Sequence, residues 1–238
     1  MEEIRLQKYL SQAWICSRRK AEEYIAEWLV SVNWEIAQIW QKVIDWKDKV
    51  ELLDKAIKMQ KEFVYYKYNK PRGVVTTMAS RWELAIVDIL DIKERIFPIW
   101  RLDKDTTGLI LLTTDGRLAN FLMHPKYEHQ KEYMVKTYGP ITDESLDIMR
   151  KWVYMLWRMT KECKIERLST GLFSITLTEW RNRQIRRMVE SIWGEVKWLK
   201  RIRVENIFLD TLEEGKYKHL SKWEKNELFA NLWIKADA

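Results

Sequence analysis

The stretch Arg101-Leu102-Asp103-Lys104-Asp105-Thr106-Thr107-Gly108 is a polar, acid-bearing loop that runs straight into the apolar strand Leu109-Ile110-Leu111-Leu112. A carboxylate in such a loop can be held ionised by arginine and by hydroxyl or backbone donors, and then act as nucleophile or base. Taken alone, an Asp among Thr and Gly is more often a turn or cap residue. Upstream, two β-rich runs, 64–68 and 74–77, flank Asn69-Lys70-Pro71-Arg72-Gly73. Downstream come a short helix over 115–124, a strand over 132–136, a helix over 142–151 capped by Thr142 or Asp143, and a cleanly alternating strand over 173–178. Ile185, Met188, Val189 and Ile192 then follow the spacing of a helix with one buried face. Residues 1–58 read as a smaller α+β unit. Leu6, Tyr9, Leu10 and Ala13 share a helical face, and Ser17 caps a second helix whose face is Ala21, Tyr24, Ile25 and Trp28. Strands follow at 29–32, 36–39 and 49–53 around the turn Asn33-Trp34. The expected organisation is a unit over 1–58, a linker over 59–63 and a larger strand-rich unit over 64–238.

The 238 residues carry 42 Lys and Arg against 35 Asp and Glu, a net charge of +7. Residues 1–62 hold 11 basic and 11 acidic side chains, whereas 181–203 holds eight basic residues against Glu190 and Glu195. A concentrated cationic segment points to a polyanionic partner, nucleic acid first. Arg18, Arg19 and Lys20 crowd the first turn of the second helix, where the dipole disfavours cations and a docked anion would relieve the cost. Two cysteines and three histidines, none in ligand spacing, argue against a disulfide framework and a zinc site and fit a reducing cytoplasm. The longest apolar runs, 84–90 and 108–113, are far short of a membrane span, and Met1-Glu2-Glu3 is no signal-peptide start, so a soluble intracellular protein is expected.

Fourteen Trp stand against seven Gly, an inversion of ordinary usage. Trp34 occupies the second place of an Asn-Gly-type turn. Trp14 and Trp28 follow helical repeats where a left-handed glycine usually closes a helix, and Trp40, Trp46, Trp100 and Trp180 sit in turn-like contexts. The pattern predicts that most of these positions are glycines whose UGA codons have been read as Trp. The alternative is a genuinely Trp-rich protein with stacking surfaces.

GxSxG, HExxH and Walker sequences are all absent. What the chain does carry, in order, are Asn69-Lys70-Pro71-Arg72-Gly73-Val74-Val75-Thr76-Thr77, Phe97-Pro98-Ile99-Trp100-Arg101-Leu102-Asp103-Lys104-Asp105-Thr106-Thr107-Gly108-Leu109, Leu122-Met123-His124-Pro125, Lys131-Glu132-Tyr133-Met134-Val135 and Glu179-Trp180-Arg181-Asn182-Arg183-Gln184-Ile185-Arg186-Arg187-Met188. With these five motifs the chain resembles the RsuA/RluB group of ribosomal RNA pseudouridine synthases over nearly its whole length. Residues 1–58, with Ser17-Arg18-Arg19-Lys20-Ala21-Glu22, resemble the alpha-L RNA-binding domain shared with ribosomal small-subunit protein S-four. The family pattern has Gly at Trp28, Trp34, Trp40, Trp100 and Trp180.

The resemblance implies a small alpha-L domain followed by a mixed, mainly antiparallel catalytic domain, α+β in class. It implies isomerisation of uridine to pseudouridine in ribosomal RNA, with 23S wording closer than 16S, and without metal or cofactor. Asp103 matches the nucleophile, Tyr133 the tyrosine that stacks on the flipped uracil, and Arg186 the basic partner of the aspartate, joined to it in a forked pair. Arg18, Arg19, Lys20, Arg101, Lys131, Arg181, Arg183 and Arg187 are the expected RNA contacts. The partner is ribosomal RNA or a pre-ribosomal particle, with no membrane, and the enzyme is expected to be a cytoplasmic monomer. Two other readings are an RNA-binding assembly factor with an idle catalytic domain and a non-RNA interaction protein using exposed Trp.

Overall fold

The computed structural model describes residues 3–59, 62–77, 82–124 and 126–232. Residues 60 and 61 of the expected linker, Pro125 of the third motif, the first two residues and 233–238 lie outside the described residues. The chain divides into two compact units: residues 1–64 with 92–96 and 114–116, and residues 65–91, 97–113 and 117–238.

In the first unit β1 (Ile4–Arg5) leads into α1 (Leu6–Gln12), which buries Leu6, Tyr9 and Leu10. Ser17 accepts a hydrogen bond from the Lys20 N–H at 3.1 Å and so starts α2 (Arg18–Ala26). Ala21 and Ile25 are buried beneath it, but Trp28, expected on the same face, is 74% exposed. Its backbone is left-handed, which turns the side chain off the helical face. Strands β2 (Val30–Val32), β3 (Glu35–Ile36), β5 (Val50–Leu52) and β6 (Lys55–Ile57) form an antiparallel sheet in the order β3-β2-β5-β6, while β4 (Lys42–Val43) pairs with β1. Leu6, Leu10, Ile25, Val30, Val43 and Val50 share one core.

The second unit is built on a sheet in the order β13-β14-β10-β15-β9-β7-β17. Along the chain these are β7 (Tyr65–Lys70), α3 (Ile86–Ile89), β8 (Phe97–Ile99), β9 (Thr107–Thr113), α4 (Gly116–Met123), β10 (Lys131–Thr137), α5 (Asp143–Lys151), β11 (Tyr154–Met155) and β12 (Arg158–Met159). There follow β13 (Lys164–Ser169), β14 (Leu172–Leu177), α6 (Gln184–Ser191), β15 (Val196–Val204), β16 (Ile207–Phe208), β17 (Tyr217–His219) and α7 (Lys222–Asn231). Thr142 caps α5, its hydroxyl accepting from Ser145 N–H at 3.2 Å. The sheet is antiparallel except where β15 runs parallel to β9, with Gly108 beside Arg201. A Cβ on Gly108 would lie 2.2 Å from the Arg201 carbonyl oxygen, so only glycine lets these strands approach. Ile99, Leu111, Leu118, Leu122, Ile207 and Phe229 pack one core of this unit. The expected strand over 74–77 does not form. Val75 makes only a single parallel bridge to Ala85, and its neighbours are drawn into loop contacts described below.

Among the described residues seven tryptophans have left-handed backbones: Trp14, Trp28, Trp34, Trp40, Trp100, Trp157 and Trp193. Asn33 (φ 54°) and Trp34 (φ 68°) form the turn between β2 and β3, and Leu156 (φ 49°) and Trp157 (φ 65°) repeat it between β11 and β12. Each left-handed L-residue costs about 1–2 kcal/mol. Trp46 and Trp180, expected among them, lie outside the left-handed region, whereas Trp157 and Trp193 join them.

Candidate active site

The loop between β8 and β9 is held from both sides of Asp103. Thr76 Oγ1 donates to the Leu102 carbonyl at 2.8 Å and accepts from Leu102 N–H at 3.2 Å. On the far side, Gly73 N–H and Lys70 Nζ donate to the Lys104 carbonyl at 2.9 and 3.3 Å. Lys70 is fully buried, also donates to the carbonyls of Pro71 and Val74 at 2.8 Å each, and is pushed down to about 8 by burial. The motif 69–77 is therefore a clamp on the acid-bearing loop, and Asp103 completes that loop by accepting at its own carbonyl from Thr106 N–H at 3.0 Å.

Tyr133 sits on β10, 7% exposed, directly across the sheet from Arg201 on β15. Arg201 is fully buried and spends its Nε and Nη2 donors on the carbonyls of Leu109 and Trp100, at 2.6 Å each. Its guanidinium carbon lies 6.0 Å from the centre of the Tyr133 ring. Burial depresses its pKa while Tyr133 opposes the shift. In the sequence Arg201 belongs to the 181–203 cationic segment that points to a polyanionic partner. The register instead places it inside the sheet, where it ties β15 to β9 beneath Tyr133.

Asp103, Tyr133 and Arg186 line one narrow cleft of about 50 Å³, with Arg101, Thr106 and Arg183 around them. Arg186 projects from α6 and donates from Nη2 to the Asp105 carbonyl at 3.3 Å, and its Nε is buried with no partner among the described residues. Burial lowers its pKa, the Arg183 charge adds to this, and the carboxylates of Asp105 and Asp103 act the other way. The forked Asp103–Arg186 pair expected from sequence is not closed. Among the described residues the Asp103 carboxylate makes no ion pair, because the guanidinium is engaged with loop backbone two residues further on.

The expected RNA contacts separate into distinct environments. Arg18 and Arg19 are exposed on the first turn of α2, while Lys20 pairs with Glu23 at 2.7 Å and lies over the Tyr24 ring. Arg101 and Arg183 are exposed at the cleft, and Arg187 lies 3.4 Å from Asn182 Oδ1. Arg181 is bound to Glu179 at 3.0 Å and to the carbonyls of Arg158 and Met159. Arg203, also counted in the cationic segment, pairs with Glu132 at 2.8 Å. Lys131 is 3% exposed, so it is no surface cation. Burial, assisted by the Arg201 charge, pushes its ammonium down to about 8.

The chain as a whole has counterparts among known proteins. A family model described as RNA pseudouridylate synthase matches residues 64–191. The chain belongs to the RNA pseudouridylate synthase family. The dual-specificity RNA pseudouridine synthase RluF of Escherichia coli (strain K12) is 39% identical over 228 residues, covering 95% of this chain and 78% of that relative. The ribosomal large subunit pseudouridine synthase B of Bacillus subtilis (strain 168) is 38% identical over 235 residues, covering 95% and 96%. A crystal structure of a pseudouridylate synthase matches with a TM-score of 0.70 at 28% identity, over 94% of this chain and 99% of that one. These likenesses bear out the RsuA/RluB-type assignment, the α+β class with its mainly antiparallel sheet, and the chain's standing as an RNA pseudouridine synthase that isomerises uridine. Among the described residues no helix is long and apolar enough to cross a membrane.

Proposed function

We propose that this pseudouridine synthase modifies ribosomal RNA of the large subunit, acting as a cytoplasmic monomer on free RNA or a pre-ribosomal particle, with Asp103 as its nucleophile. The observation that carries the reading is the shared cleft of Asp103, Tyr133 and Arg186. The Asp103 carboxylate attacks C1′ of the uridine, and the C1′–N1 bond breaks with its electron pair leaving on the uracil. The turned base attacks C1′ through C5, Asp103 leaves, and C5 loses a proton as N1 gains one, so the product is an isomer of the substrate. Tyr133 stacks on the uracil. Arg186 brings positive charge to the cleft that it shares with the aspartate. A stacked base cannot reach Asp103, so the nucleotide is extruded at a cost of a few kcal/mol. The cleft-rim Arg101 and Arg183 hold phosphates flanking the uridine, and Arg18 and Arg19, exposed in the 1–58 segment, bind RNA phosphates in their own right. Mapping pseudouridine in 23S and 16S transcripts incubated with the protein tests the assignment. A new site in 23S is expected, and conversion confined to 16S would overturn the large-subunit reading.

A further inference from the structure

Beside the narrow cleft lies a second cavity of about 670 Å³, and the two share the wall formed by Glu179, Trp180 and Arg181. Lys131 lines this cavity, and Tyr133, two residues on along β10, lines the cleft. Residues i and i+2 of a strand face the same side about 7 Å apart, so the two sites adjoin along one strand. Four long cations line the cavity. Lys161 is neutralised by Glu128 and Arg181 by Glu179, whereas Lys131 and Arg158 have no carboxylate partner among the described residues. Lys131 is 3% exposed, and its described partner is the Trp100 ring, 5.1 Å from Nζ. A buried ammonium that lacks an oxygen acceptor is costly, and here it borders space large enough for a ligand. Tyr127, on the same wall, stacks on Phe121 at 4.2 Å and leaves part of its ring uncovered. Oxygen acceptors for Lys131 and Arg158, together with a flat ring for Tyr127, describe a nucleotide.

We propose that this cavity is a second nucleotide site, which takes the residue adjoining the target uridine, with Lys131 and Arg158 on its oxygens and its base against Tyr127. The inference rests on the uridine-isomerising reading of the adjoining cleft. A strand splayed in this way presents two neighbouring nucleotides to two adjoining sites, and specificity then depends on the identity of the neighbour as well as on the target.

Two measurements on the full chain with a 23S ribosomal RNA transcript test it. Tyr127 is replaced by the photoreactive p-benzoylphenylalanine in the Asp103→Asn background, and the crosslinked nucleotide is mapped against the uridine that the wild-type converts. The crosslink is expected within two nucleotides of that uridine, and crosslinks only at distant nucleotides, or none, would overturn the site. Arg158→Gln and Lys131→Gln are each expected to raise KM at least fivefold with kcat within twofold. An unchanged KM for Arg158→Gln, an exposed position that folding tolerates, would also overturn it. If the wild-type converts no uridine the function reading fails by itself, and the crosslink still decides the cavity: one RNA base captured supports it, and no capture overturns it.

Discussion

Arg186 shows how a single side chain can be matched by pattern and yet be placed differently by structure. Its guanidinium reaches the Asp105 carbonyl at 3.3 Å and shares the cleft with the Asp103 carboxylate. Catalytic hydrogen bonds are often long before substrate binds and tighten with it. Lysine keeps the charge but cannot hold a backbone carbonyl and a carboxylate in one planar fork. Arg186→Lys is therefore expected to lower the rate at saturating RNA about tenfold, roughly 1.4 kcal/mol of transition-state stabilisation. Arg183→Lys, exposed on the same rim, should alter affinity modestly and leave that rate unchanged, and single-turnover kinetics on both variants measures the difference. Asp103, Tyr133 and Arg186 were legible as a set because each sits in a motif with fixed neighbours. Arg201 and Lys131 were not. Their burial depends on which strand lies opposite, and nothing local distinguishes a basic residue facing a sheet interior from one facing solvent.

At the level of elements, local chemistry wrote most boundaries openly. Ser17 and Thr142 cap their helices through main-chain N–H groups three residues on, and the alternation of 173–178 appears as β14. The 74–77 run misled because β-branched residues score as strand, while its Thr76 hydroxyl is spent on the Leu102 backbone. Turns and helix ends carry the tryptophan anomaly: among the described residues four left-handed Trp fall in the first unit and three in the second, and at about 1–2 kcal/mol each they are a large share of the roughly 5–15 kcal/mol by which a domain is stable. Trp34→Gly and Trp193→Gly are expected to raise the urea midpoint, each by about 1 kcal/mol of stability, and distant sites should add. Trp46→Gly, outside the left-handed region, should not stabilise. Equal effects at all three would remove the backbone argument, and UGG codons at 28, 34, 100 and 180 would remove the misread-codon account.

On the scale of the whole molecule, the first unit has a core of its own, from Leu6 and Leu10 through Ile25 to Val43 and Val50. Residues 1–58 expressed alone are expected to fold and to bind structured RNA weakly, with shifts at Arg18 and Arg19 in an NMR titration. A silent α2 turn would contradict their assignment to phosphate. The concentration of cations in 181–203 was readable as a pointer to RNA, but the environment of each was not: of the eight, Arg201 is buried, Arg181 and Arg203 are paired, and Arg183 and Arg186 line the cleft. The reaction itself turns on Asp103, whose replacement by asparagine removes a nucleophile and almost no volume. The decisive measurement is pseudouridine formation by Asp103→Asn alongside its RNA affinity: the account predicts no detectable product with affinity within a few-fold of wild-type, and undiminished product formation would contradict it.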